Sequence, residues 1–420
     1  MENGAAVRRV ALGTTLIGAA AFLLLAVTQV PWHPVPGGTP PPVTASSVFT
    51  PAEIARGEHF ALWARVWSWS SLAVSLLVAC WLGFGRTGRA LVARLRGWWW
   101  LRVIVIVAAL TVLGSVVTVP FGYALRRLSL SQGLAAGTWG GWAIDIVKTD
   151  LVAIVSTSIA IIALVACMRW LPRLWPAVAG LAAAGLVVLG SFAYPLVVEP
   201  VFNHFTTLRD GPLRSEVLAL ANKEGVHVDD VLVADASRRT TTLNAYVSGF
   251  GDTRRVVLYD TLLESTPRDE TLSVVAHELA HAKYDDVLTG TALGAAGALF
   301  GVGLLGLLLP ARREQGEQEA GRSPYGVGVG LVPRVLALVA IGTLVAAPVQ
   351  NAISRKIETR ADQTALEVTN APQAFVDLQR RLALRSHADP TPPAWSQFWF
   401  GSHPTVLQRI GLANRYLAKG

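Results

Sequence analysis

Apolar residues along this chain gather into long unbroken runs, where a water-soluble domain would show short alternating blocks. Seven runs come close to the roughly 20 residues needed to cross a bilayer, at about 10–31, 63–84, 101–120, 146–168, 175–197, 287–309 and 331–350. They predict seven membrane-spanning helices. Only about 200–286 and 351–420 then leave room for polar structure of any size. The expected organisation is an N-terminal membrane domain over 1–199 with five spans, followed by a second domain over 200–420 that includes spans six and seven.

The first run follows Arg8 and Arg9, is long for the apolar part of a signal peptide and lacks a clear small-residue cleavage pattern, so it reads as a retained helix. Pro34–Pro42 (PVPGGTPPP) is by composition a stiff, extended linker. Thr50, Pro51 and Glu53 form a helix-start signal leading into the second span. Trp98, Trp99 and Trp100 open the third span as an interfacial aromatic belt.

Within 200–286 the periodicity changes. PLRSEVLALANK at 212–223 reads as an amphipathic helix, Val231 to Ala234 as a short strand, and Leu243 to Phe250 with Arg255 to Tyr259 as a hairpin turning through Gly251, Asp252 and Thr253. Residues 267–309 read as helical throughout, from Pro267 and the acidic first turn of Asp269 and Glu270 into the sixth span. The polar stretch 311–325 breaks the pattern before span seven.

Composition narrows the function classes. Hydrophobic residues make up 52% of the chain and charged residues 15%, against roughly 25% charged in a soluble domain, which excludes a simple soluble protein. Both cysteines, Cys80 and Cys167, lie inside apolar runs, so neither a disulfide framework nor a cysteine metal site is expected. A metal here would need histidines and carboxylates. The net charge of +8 comes almost wholly from arginine, all but five of the 36 basic residues. Arginines beside apolar runs orient a membrane protein; the partner they imply is the lipid bilayer, with no nucleic acid.

His277, Glu278, Leu279, Ala280 and His281 spell HELAH, an H-E-x-x-H pattern in a helical stretch. Four residues advance a helix by about 400°, so the two imidazoles share one face and can reach one ion, with Glu278 beside the open coordination position. Catalytic zinc takes three protein ligands and leaves one place for water. Two candidates stand for the third. Glu358 lies in ISRKIETRADQTAL (353–366) with Asp362 one turn later on the same face, and His403 lies in Ser402-His403-Pro404. Glu358 could equally form a surface ion pair with Arg355 or Lys356.

HELAH at the entry to an apolar helix, the downstream Glu358-x-x-x-Asp362, the stretch Asn244-Ala245-Tyr246 and the SHPT of residues 402–405, in this order, resemble the CAAX prenyl protease type I family of integral-membrane zinc metallopeptidases. The resemblance covers about 50–415. It implies a mainly α membrane protein of seven helices ringed around a water-filled chamber, with a gluzincin-like zinc protease domain that carries a small β-hairpin. It implies one zinc per chain held by His277, His281 and Glu358, with Glu278 as general base and Asp362 as a carboxylate orienting a ligand histidine. Asn244 would bind substrate backbone at an edge strand, and His403 with Arg409 would stabilise the oxyanion or hold the substrate's C-terminal end. A chamber also suits Asp145, Lys148 and Asp150 near the start of the fourth span.

The lysine-poor, alanine-rich composition fits a bacterial member, for which prenylated substrates are not expected; the partner is then a peptide or membrane-protein substrate. Two rivals are a membrane-protein quality-control protease and, from another class, a cation transporter or inactive scaffold. Localisation is a multi-pass cell-membrane protein with two conflicting orientation signals. The family places its zinc domain in the cytoplasm. The charge rule favours the exterior, because Arg8, Arg9, Arg86, Arg89, Arg94, Arg96, Arg169, Arg173, Arg312, Arg313 and Arg322 lie on the other side, against Arg56, Arg126 and Arg127.

Overall fold

All seven apolar runs form helices, and most of these helices outrun their apolar part. In the computed structural model, which describes residues 2–249, 251–309 and 328–418, the chain begins with α1 (Glu2–Gln29) and α2 (Pro51–Phe84). The short helix α3 (Arg86–Arg94) leads to α4 (Trp99–Ser131), α5 (Trp139–Trp170) and α6 (Trp175–Ala193). Phe250 and the connection 311–325 lie outside the described residues. The helix start at Thr50 is confirmed as a reciprocal cap, with the Thr50 amide donating to Glu53 Oε2 at 2.8 Å and the Glu53 amide to Thr50 Oγ1 at 3.3 Å. The fifth span departs from expectation near Pro195. There the chain widens into a π-helical turn, Tyr194–Val198, before α7 (Glu199–Phe202), and the Glu199 amide reaches back to the Tyr194 carbonyl. Proline has no amide to donate and crowds the preceding turn, so regular helix fails here.

The spans close a ring. α2 packs on α4, α4 on α5, α5 on α6 and α6 on α11 (Asp286–Leu308); α11 meets α12 (Val332–Thr369), which returns to α2, while α1 lies along α11 and α6. Glycines let α1 and α11 touch: a Cβ on Gly303 would come within 2.5 Å of the Thr15 backbone nitrogen, and one on Gly18 within 2.4 Å of that of Phe300. The largest apolar core of the ring lies at the ends of the spans remote from residues 200–285. It joins Val103 and Val107 of α4, Val165 of α5, Ala179 of α6, Leu305 of α11 and Val335 of α12. No more than 33% of any span's most apolar window is buried against other parts of the chain.

The polar unit is built around four strands in the order β1-β2-β4-β3, with β1 at Phe205–Thr207, β2 at Asp230–Ala234, β3 at Ala245–Ser248 and β4 at Arg255–Tyr259. β3 and β4 pair antiparallel as the expected hairpin, while β2 runs parallel to β4. The three-residue β1 was too short to be seen in the sequence pattern. α8 (Pro212–Glu224) and α10 (Arg268–Lys283), the latter preceded by the short α9 (Asp260–Ser265), bury Val217, Ala221, Val275 and Leu279 against Val231, Val256 and Leu258 of the sheet.

The continuous helix expected over 267–309 is instead two helices. α10 ends at Lys283, Asp285 takes a left-handed conformation (φ 51°), and α11 starts afresh at Asp286. Asp is one of the few residues that tolerates this geometry, and Arg254 bridges its carboxylate at 2.6 Å.

The Pro-rich segment is a strap. Val35 is buried among Leu366 of α12, Phe375 of α13 (Pro372–Ser386) and Leu412 of the C-terminal helix α15 (Val406–Leu417), which follows the short α14 (Ala394–Phe400). The Val43 amide donates to the Leu407 carbonyl, Arg415 donates to the Gly38 carbonyl, and Gly411 lets the strap lie close, since a Cβ there would stand 2.5 Å from the Pro41 carbonyl oxygen.

Candidate metal centre

α10 presents His277 and His281 one turn apart, as the HELAH spacing requires, and α12 crosses it carrying Glu358 and Asp362 one turn apart on one face. One ligand atom from each of His277, His281 and Glu358 lies within 4.8 Å of the other two. The two Nε2 atoms are 3.2 Å apart, and the Glu358 oxygens lie 3.2 Å from His277 Nε2 and 3.8 Å from His281 Nε2. Behind the rings, each Nδ1 meets a different carboxylate: His277 faces Asp362 at 2.9 Å, and His281 faces Asp286 at 2.9 Å.

With the proton of each ring on the Nδ1 that faces the closer carboxylate, each Nε2 turns its lone pair inward. Two lone pairs and a carboxylate then converge on one small space, and one Glu358 oxygen, Oε2, is buried without a hydrogen bond among the described residues. This donor set needs a positive charge at its centre. Burial alone would lower the pKa of His277, yet the Asp362 and Glu358 carboxylates push it up to about 10. Two imidazoles and one carboxylate, converging from two helices, fit a tetrahedral cation with its fourth position open.

Glu278 stands beside the cluster on α10. Burial raises its carboxyl above the ordinary range, and the imidazoles of His277 and His281 pull against that rise. His403, reached through the loop after α14, places Nε2 3.4 Å from Glu358 Oε1 and remains exposed. Both third-ligand candidates thus arrive at one place, Glu358 within the ligand group and His403 at its rim. Arg409 of α15 grips both oxygens of Asp362, with Nε donating to Oδ2 at 2.8 Å, and its Nη2 lies 3.5 Å from His277 Nδ1. Asn244 directly precedes β3, which forms one edge of the sheet and packs on α10, and its carbonyl accepts from the Tyr259 amide. Asp145 lies 3.9 Å from Arg239, Lys148 donates to the Val201 carbonyl and Asp150 accepts from Ser115, so all three have partners within the ring or the polar unit.

Sequence reasoning missed Asp286. Its place five residues after His281 looks like the start of a new span, and only the break at Asp285 turns it back to the imidazole.

A ring of membrane helices joined to an H-E-x-x-H helix, with a glutamate from a second helix close to both histidines, is the architecture of an integral-membrane metallopeptidase. Residues 207–416 match peptidase family M48, and the chain belongs to that family. Residues 58–204 match the CAAX prenyl protease N-terminal region of five membrane helices. Among individual proteins, the chain is 27% identical over 313 residues to the uncharacterized metalloprotease YhfN of Bacillus subtilis, covering 74% of this chain and 72% of that protein. It is 32% identical over 221 residues to a CAAX prenyl protease 1 homolog of rice (Oryza sativa subsp. japonica), 52% of this chain and 50% of the rice protein. The crystal structure of S. mikatae Ste24p superimposes with a TM-score of 0.77 over 99% of both chains at 18% identity, which shows a shared fold.

Proposed function

We propose that the protein is a membrane-embedded zinc endopeptidase with His277, His281 and Glu358 as ligands and Glu278 as general base. The observation that carries this is the convergence of two imidazole lone pairs and a buried carboxylate beside a second, unligated glutamate. Zinc bound there would supply a Lewis acid for the scissile carbonyl and make water acidic enough to attack near neutral pH.

The chain's own groups do the rest. Glu278 accepts the proton of the attacking water and passes it to the leaving amine nitrogen, a task helped by a carboxyl whose pKa burial raises. β3 offers an edge on which a substrate segment can add as a further strand, with Asn244 at its start. His403, exposed at the rim, is placed to donate to the oxyanion, while Arg409 acts through Asp362 on the orientation of His277. The substrate is a peptide or membrane protein that enters the ring; lipidation is not required by anything in this geometry.

Zinc per chain in detergent-purified protein tests the ligand set. About one equivalent in the wild type, with much less in His281→Ala and Glu358→Ala, is expected. Glu278→Gln is expected to keep its zinc and lose nearly all cleavage of a quenched fluorescent peptide; retained turnover in that variant sinks the assignment. A reporter fused at residue 420 reads the membrane side of the site. A cytoplasmic signal means that the family orientation holds over the arginine count, and an exterior signal means the reverse.

A further inference from the structure

The two ligand histidines are held in the same way. His277 leans on Asp362, and Asp362 is gripped by Arg409; His281 leans on Asp286, and Asp286 Oδ1 is gripped by Arg360. We propose that Asp286 and Arg360 are the positioning pair of the second zinc ligand, fixing the tautomer and ring angle of His281. The inference rests on the zinc reading above.

The local structure is arranged around that contact. Had α10 run on as one helix, residue 286 would lie 500° beyond residue 281, nearly half a turn away from it on the helix surface. The left-handed Asp285 ends α10 and brings the first residue of α11 back against the imidazole, and Asp286 is only 8% exposed. Arg360 is fixed in turn, because its guanidinium lies over the Tyr284 ring at 4.1 Å. The bridge from Arg360 to Asp286 ties the turn to α12, the helix that carries Glu358.

A first residue of a membrane span thus touches a metal ligand directly. Removing a carboxylate behind a ligand histidine typically weakens metal binding by about 10- to 100-fold. Asp286→Ala is expected to bind zinc within that range below wild type, read by competition with a chromophoric chelator on metal-free protein in detergent. Its cobalt-substituted form should show a shifted visible spectrum. Asp286→Asn keeps an oxygen that can accept from Nδ1 and should recover much of the loss. Arg360→Gln, which leaves Asp286 in place, should fall between wild type and Asp286→Ala.

A purely structural role would lower the thermal midpoint of the metal-free variants but leave zinc affinity and the cobalt spectrum as in the wild type, and that result overturns the proposal. If Asp286→Ala does not fold, Asp286→Asn and Arg360→Gln carry the test, and wild-type affinity in both is the overturning outcome. Glu358→Ala, measured alongside, separates the two layers. If the wild type binds no zinc, or binds it equally without Glu358, the zinc reading fails first. If Glu358→Ala loses zinc while Asp286 and Arg360 variants do not, only the pair is refuted.

Discussion

Glu224 ends α8 only 4% exposed, and neither of its carboxylate oxygens has a hydrogen-bond partner among the described residues. Burial raises its pKa from 4.5 to about 7, against the opposing pull of Lys283, His277 and Lys223. A carboxyl whose folded pKa lies above its unfolded one favours the folded state only while protonated. Its contribution is therefore full below the unfolded value and is lost as pH rises through about 7. Between pKa values of 4.5 and 7, at about 1.36 kcal/mol per pH unit, the whole loss is about 3 kcal/mol, with roughly 2.5 kcal/mol of it between pH 5 and 8.5. Glu224→Gln removes the titration while keeping the shape. The metal-free wild type should lose several degrees of thermal midpoint over that range relative to the variant, followed by intrinsic fluorescence with chelator present in both samples. Near pH 5 the gap should be under about 1 kcal/mol, and at pH 8.5 the variant should be the more stable by about 3 kcal/mol. Parallel pH profiles would refute the reasoning, because they would mean that Glu224 ionises as freely when folded as when unfolded.

Other variants separate the roles assigned to the site. His403→Ala should leave zinc content at one per chain and lower kcat by about 10²- to 10³-fold, the usual cost of one oxyanion donor; loss of zinc would make His403 a ligand instead. Arg409→Ala frees a buried Asp362 carboxylate and should weaken zinc binding about 10- to 100-fold, read by chelator competition. Gly303→Ala places a methyl group against the Thr15 backbone and should cost about 1–3 kcal/mol in ring stability while zinc content per folded chain stays the same.

Much of this architecture is legible in the chain because its strongest signals are local. A 20-residue apolar run has few alternatives to a membrane helix, and two histidines at four-residue spacing on a helix share a face wherever that helix lies. The hairpin at 245–259 shows for the same reason, as β-rich runs on either side of a turn. What escaped are choices made by tertiary contact. β1 has three residues and exists because β2 offers it an edge. The strap at 34–42 reads as an idle linker by composition, yet it covers α15, the helix from which Arg409 reaches Asp362.

The centre itself divides along the same line. Its inner groups, His277, Glu278, His281, Glu358 and Asp362, occur as two short motifs in which helix periodicity alone aligns the side chains. The supports behind them are joined by tertiary contact: Arg409 lies 47 residues after Asp362, and Arg360, inside the second motif, reaches back to Asp286 across 74 residues. Asp286 belongs to neither motif, because the helical pattern continues smoothly through Tyr284 and Asp285 and hides the one backbone conformation that aims it. That left-handed residue is cheap for Asp and costly for a β-branched side chain. Asp285→Val should therefore disturb His281 without touching any group in contact with it.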